Sequence, residues 1–138
     1  MLPTRLIFAA SRVSLASVRA GYGPSKAWRM GVAVVHDLTP QDVAKGIAEG
    51  RILLVDVREP NEVAAEAYPD GIVVPLSSFD PKLIPDPQGK DVVFACRSGK
   101  RSVTASMAAQ AAGLPYDKHL QGGMLGWKAA GLPIKTGG

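Results

Sequence analysis

Three short apolar runs constrain the fold of this chain most: Ile52-Leu53-Leu54-Val55, Ile72-Val73-Val74 and Val92-Val93-Phe94-Ala95. None alternates apolar with polar residues, as a strand with one wet face would, so each reads as a strand buried on both faces, the habit of parallel sheets. Parallel strands need crossovers, and helix-compatible segments lie where the crossovers would run. Thr39-Pro40-Gln41-Asp42 offers an N-cap, a proline at N1 and an acid at N3; Val43 and Ile47 share a face, and Gly50 is placed for a left-handed stop. Residues 60–66 and 103–112 suit two more helices, the second closed by Gly113 and Pro115. A short strand at 118–120, a Gly-Gly turn and a helix through 124–128 form the last unit, while 80–90, with Pro81, Pro85 and Pro87, is loop. The expected fold class is α/β, a mainly parallel central sheet of about five short strands flanked by helices on both faces, with right-handed connections.

A length of 138 residues, 46% of them hydrophobic and 20% charged, fits one globular domain. The formal charge of +4 is unevenly spread: residues 1–35 hold five basic side chains and no acid, whereas 36–138 hold eleven basic and twelve acidic ones. The basic excess therefore belongs to a leader-like segment and not to a nucleic-acid-binding face, and no nucleic-acid partner is expected. The expected division is a basic N-terminal arm at 1–35 and a folded domain at 36–138. Arg5, Arg12 and Arg19 recur every seven residues and would share one face of a helix. The most apolar stretch of the arm, residues 6–10, is too short for a transmembrane span or a secretory signal. Three readings stand for this segment: a retained arm, a mitochondrial transit peptide, or sequence upstream of a start at Met30. The expected location is cytoplasmic, or mitochondrial if residues 1–30 act as a transit peptide.

The single cysteine, Cys96, leaves no intrachain disulfide and no zinc site built of several thiolates. It directly follows the third apolar run, at the carboxyl end of a strand, where open α/β sheets place their sites. The loop Cys96-Arg97-Ser98-Gly99-Lys100-Arg101-Ser102 then leads into an Ala-rich helix. Inward-facing amides of such a loop, a helix N-terminus and three cations all favour a negative charge on the sulfur. A thiol so placed falls from about 8.5 to roughly 3.5–7.5, so Cys96 is expected as an ionised, reagent-accessible nucleophile at the mouth of the sheet. Inert packing is the alternative for a lone cysteine, but Lys and Arg are rarely buried unpaired, and three of them in this loop speak against it.

Leu54-Val55-Asp56-Val57-Arg58-Glu59-Pro60-Asn61-Glu62, the Cys96–Ser102 loop and Leu120-Gln121-Gly122-Gly123-Met124-Leu125-Gly126-Trp127 occur in this order. Together they resemble the single-domain rhodaneses, the thiosulfate sulfurtransferases, over about residues 36–138. The resemblance implies an enzyme in which Cys96 takes a sulfane sulfur from a donor such as thiosulfate and becomes a persulfide. It then passes that sulfur to cyanide, a thiol or a protein acceptor, with no metal and no organic cofactor. Carried over, Cys96 is the nucleophile, and the amides of Arg97, Ser98, Gly99, Lys100, Arg101 and Ser102 cradle the donor and the persulfide. Lys100 and Arg101 supply positive charge. Arg58, paired with an acid such as Glu62 or Asp56, belongs to the site chiefly as a structural residue and secondarily in contact with substrate. Where the family usually has Gly-His-Ile-Pro-Gly-Ala, this chain reads Glu66-Ala67-Tyr68-Pro69-Asp70-Gly71.

Two other classes compete. Phosphatases and arsenate reductases also hold a thiolate in an oxyanion loop, but phosphatases place an arginine six positions after the cysteine, where this chain has Ser102; Arg101 is at plus five. No aspartate among Asp70, Asp80 and Asp86 is marked out as a general acid. A non-catalytic persulfide carrier or redox sensor would also use a low-pKa thiol. A Cys-His hydrolase is weaker, because the two histidines, His36 and His119, have no sequence context that turns them toward Cys96. His119 reads as a structural or rim residue, and Met124 and Trp127 as the core face of the last helix.

Overall fold

Strands form where the apolar runs lie. The computed structural model describes residues 4–8 and 32–137. Its strands are β1 (Thr4–Phe8), β2 (Val32–Leu38), β3 (Ile52–Asp56), β4 (Glu66–Ala67), β5 (Ile72–Val73), β6 (Asp91–Ala95), β7 (Lys118–Leu120) and β8 (Lys135–Thr136). The helices are α1 (Pro40–Ala48), α2 (Pro60–Ala65), α3 (Arg101–Ala111) and α4 (Gly123–Ala129). The main sheet runs β1-β2-β7-β6-β3-β5, with five parallel strands and β1 antiparallel at the edge. β4 and β8 pair separately as a short antiparallel ribbon.

Local chemistry sets the helix ends. The Thr39 hydroxyl accepts from the Asp42 amide at 3.1 Å and Pro40 opens α1, as its sequence predicts. Glu62 reaches back from α2 to accept from the Glu59 amide at 3.0 Å.

Alternation along the strands divides the core in two. Val93 and Ala95 of β6 pack with Ile52, Leu54 and Leu120, under Val43 of α1 and Met124 and Trp127 of α4. Val92, Phe94 and Cys96 pack on the other side with Val55 and Val57, under Ala105 and Ala109 of α3. A cross-strand row, Asp37–His119–Phe94–Val55–Ile72, runs through β2, β7, β6, β3 and β5 in register. Neighbours in such a row share a face, so Asp37 and His119 are the polar end of the same side that carries Cys96.

β2 begins at Val32, ahead of the boundary expected at 36, and Thr4–Phe8 is an edge strand of the same sheet and not part of a helix that would align the arginines. Pairing with β2 satisfies the backbone groups of this stretch that point toward it, and that tertiary gain overrides a spacing pattern. Arg12, Arg19 and the rest of the arm at 9–31 lie outside the described residues. Among the described residues, no helix is long and apolar enough to cross a membrane.

Candidate active site

β6 delivers Cys96 to the carboxyl end of the sheet, and α4 fixes the loop that follows. The Cys96 carbonyl accepts from the Met124 amide at 2.9 Å and from the Tyr68 hydroxyl at 2.7 Å, and the Arg97 carbonyl accepts from the Leu125 amide at 3.0 Å. Main chain meets main chain here because residue 123 is glycine. A Cβ on Gly123 would lie 2.5 Å from the Arg97 carbonyl and 2.6 Å from the Cys96 oxygen, and its φ of +56° also favours glycine.

The loop turns its amides onto the sulfur. The Gly99 amide, at a residue with φ +99°, donates to Cys96 Sγ at 3.1 Å, and Ser102 Oγ stands 3.5 Å from the same atom. Burial pushes the thiol pKa up. Hydrogen bonds from the Ser102 hydroxyl and from the amides of Ser102, Gly99 and Ser98 outweigh that burial and hold the thiol below its ordinary value. The thiol expected at an open mouth is instead 0% exposed, beneath a loop whose Arg97, Ser98 and Lys100 face solvent.

Behind the sulfur lies a chain of buried polar groups. Ser102 Oγ is 2.8 Å from His119 Nδ1, and His119 Nε2 is 2.5 Å from Asp37 Oδ1. Ser102 and His119 are fully buried and Asp37 nearly so. Among the described residues, no cluster of three or more His, Cys, Asp and Glu side chains is placed to hold a metal ion.

Residues 39–130 match the rhodanese-like domain family. The chain belongs to that family. An uncharacterised protein of Synechocystis sp. is 39% identical over 100 residues, covering 72% of this chain but only 56% of that protein. A sulfurtransferase of Allochromatium vinosum is 32% identical over 102 residues, covering 73% of this chain and 95% of that one. The thiosulfate sulfurtransferase of Pseudomonas aeruginosa superposes with a TM-score of 0.64 at 27% identity, over 74% of this chain and 20% of that one.

Within this rhodanese-like domain the loop cations divide into one that is paired and two that face solvent. Arg101 does not turn to the sulfur: its Nη1 and Nη2 donate to the Glu62 carboxylate at 2.6 and 2.8 Å, tying α3 to α2. Arg58 is 2% exposed and donates to both Asp56 oxygens at 2.7–3.1 Å and to the Glu66 carbonyl at 2.8 Å. These bonds tie the guanidinium to the end of β3 and to β4. Arg97 and Lys100 are the cations of the loop left facing solvent.

His119, Asp37 and Tyr68 are not legible as site residues in the sequence. His119 and Asp37 meet Ser102 only because the strand order places β2, β7 and β6 side by side. The signal that could have found them is a histidine in the strand predicted to follow the Cys96 helix, together with an acid, Asp37, just before the Thr39 helix start. Tyr68 occupies the segment that departs from the family pattern, and its hydroxyl is what that departure brings to the Cys96 carbonyl.

Proposed function

We propose that this rhodanese-like domain is a sulfurtransferase that carries a sulfane sulfur on Cys96. The observation that carries this reading is the ring of donors, the Ser98, Gly99 and Ser102 amides with the Ser102 hydroxyl, that favours a thiolate at the end of β6. In the first half-reaction the thiolate attacks the outer sulfur of thiosulfate. A sulfur–sulfur bond to Cys96 forms, the one inside the donor breaks, and sulfite leaves with the electron pair. In the second, cyanide or a thiolate attacks the outer sulfur and the Cys96 thiolate departs, giving thiocyanate or an acceptor persulfide. The amides that hold the thiolate are placed to hold the persulfide charge as well. Because the resting sulfur is covered, a small anionic donor such as thiosulfate is the substrate class that suits the site best.

A phosphatase is disfavoured by Arg101, which is bound to Glu62 and sits one position short of the phosphatase spacing. The test is thiocyanate production from thiosulfate and cyanide, with the mass of the protein followed after thiosulfate alone. The expected result is turnover and a gain of one sulfur atom, both lost in a folded Cys96→Ser variant. Turnover that survives in Cys96→Ser overturns the mechanism; a stable persulfide without turnover identifies a carrier instead.

A further inference from the structure

The chain Cys96–Ser102–His119–Asp37 is continuous, buried and directional. Asp37, as a carboxylate, can only accept, so it fixes the proton of His119 on Nε2 and leaves Nδ1 facing the Ser102 hydroxyl. With the imidazole neutral, the chain runs one way: Cys96 S–H to Ser102 Oγ, Ser102 O–H to Nδ1, Nε2–H to Asp37. With the sulfur ionised the first two links reverse. Nδ1–H donates to Ser102 and the Ser102 hydroxyl donates to the thiolate. A single hydroxyl proton cannot serve Nδ1 and the sulfur together, so the Ser102 hydrogen bond that favours the thiolate requires a proton on Nδ1.

We propose that His119, oriented by Asp37, accepts the Cys96 proton through Ser102 and thereby generates the attacking thiolate. The thiol proton passes to Ser102 Oγ as the hydroxyl proton passes to Nδ1. No electrons are exchanged, and the products are a thiolate, an intact serine hydroxyl and an imidazolium beside a carboxylate. Among the described residues, His119 is bonded to Asp37 from β2 and to the uncharged Ser102 from α3, and Ser102 in turn meets Cys96 just past β6. In this role the Ser102 and His119 side chains are positioning and proton-accepting groups behind the sulfur.

The inference rests on Cys96 being the nucleophile of the proposed function, but its test needs no sulfur donor. The rate of Cys96 alkylation by iodoacetamide is followed against pH in the full chain, for the wild type and for Ser102→Ala, Ser102→Thr, Asp37→Asn, His119→Gln and the Ser102→Ala/His119→Gln pair. Thermal melting confirms that each variant is folded. Ser102→Ala and Asp37→Asn are expected to raise the midpoint by about one pH unit, a tenfold loss of thiolate below it. Ser102→Thr restores the wild-type midpoint, and the double variant shifts no further than Ser102→Ala alone, because the residues act as one unit. A structural role would lower the melting temperature and leave the midpoint in place. An unmoved midpoint in folded Ser102→Ala overturns the relay, and so does additivity in the double variant. Should His119→Gln not fold, Ser102→Ala combined with Asp37→Asn completes the same cycle, and additivity there overturns the relay equally. Failure of thiocyanate production with these midpoint shifts intact would reject the sulfurtransferase reading and leave the relay standing.

Discussion

Two neighbouring strands, β3 and β6, each end in a group that favours a negative charge, and the protein treats the two differently. At the end of β3 the Asp56 carboxylate meets the Arg58 guanidinium at 2.7–3.1 Å and the Arg58 amide at 3.0 Å, with both side chains 3% exposed. Burial works against the Arg58 charge, yet Asp56 overcomes it and holds the pKa above its ordinary value. Just past the end of β6, Cys96 is met by amides and a hydroxyl, and among the described residues no guanidinium is bonded to it. A full opposite charge locks an anion in place. Dipoles favour the anion without cancelling its charge, so the first site is a pillar and the second suits the nucleophile of the proposed function.

The largest way to break this contrast is Arg58→Ala. It should cost about 3–5 kcal/mol in urea unfolding, because it strands a buried carboxylate. The alkylation midpoint of Cys96 should stay put; a shift there would mean that the two ends are electrostatically one site. Tyr68 lies between them, its ring 5.3 Å from the Arg58 guanidinium and its hydroxyl on the Cys96 carbonyl. Tyr68→Phe keeps the ring and should cost about 0.5–1.5 kcal/mol of stability, since the Met124 amide still serves that carbonyl. A loss as large as that of Arg58→Ala would show the loop to depend on Tyr68 for its position.

Smaller effects sharpen the comparison. Hydrogen bonds from Arg101 hold Glu62 down to about 2 from an ordinary 4.5. A folded-state value below the unfolded one contributes stability that is complete above pH 4.5 and is lost as the pH falls toward 2. This partly exposed pair is worth about 0.2–1 kcal/mol, so Glu62→Gln should flatten the acid limb of the stability curve by that amount. Lys100→Ala should do least. An exposed cation contributes under about 1 kcal/mol to binding an anionic donor, seen as a higher KM whose excess shrinks with added salt. Its effect on the alkylation midpoint should be smaller than that of Ser102→Ala.

Much of the fold can be read from the chain because buried parallel strands advertise themselves. The runs at Ile52, Ile72 and Val92 form β3, β5 and β6 within a residue or two at either end. The edge strand β1 and the ribbon of β4 with β8 cannot be read this way, because each is defined by a partner distant in sequence and not by its own pattern. The site divides along the same line. The loop from Cys96 to Ser102 is contiguous, so its amides and glycine are legible. The pairing of Arg101 with Glu62 is not, because it depends on α2 standing beside α3, and a count of cations cannot tell a partnered guanidinium from one facing solvent. His119 is hidden for a related reason: its meaning lies in strand order, which brings β2 and β7 up to β6.

Cys96 continues the in-and-out alternation of β6, sharing a side with Val92 and Phe94 and facing α3. The reactivity proposed for it is therefore tied to parity. Inserting or deleting one residue within β6 would rotate the thiol to the α1 and α4 side, away from Ser102, with the composition of the loop unchanged. Natural length variation in this protein should accordingly be tolerated in the proline-containing segment before β6, and never inside the strand itself.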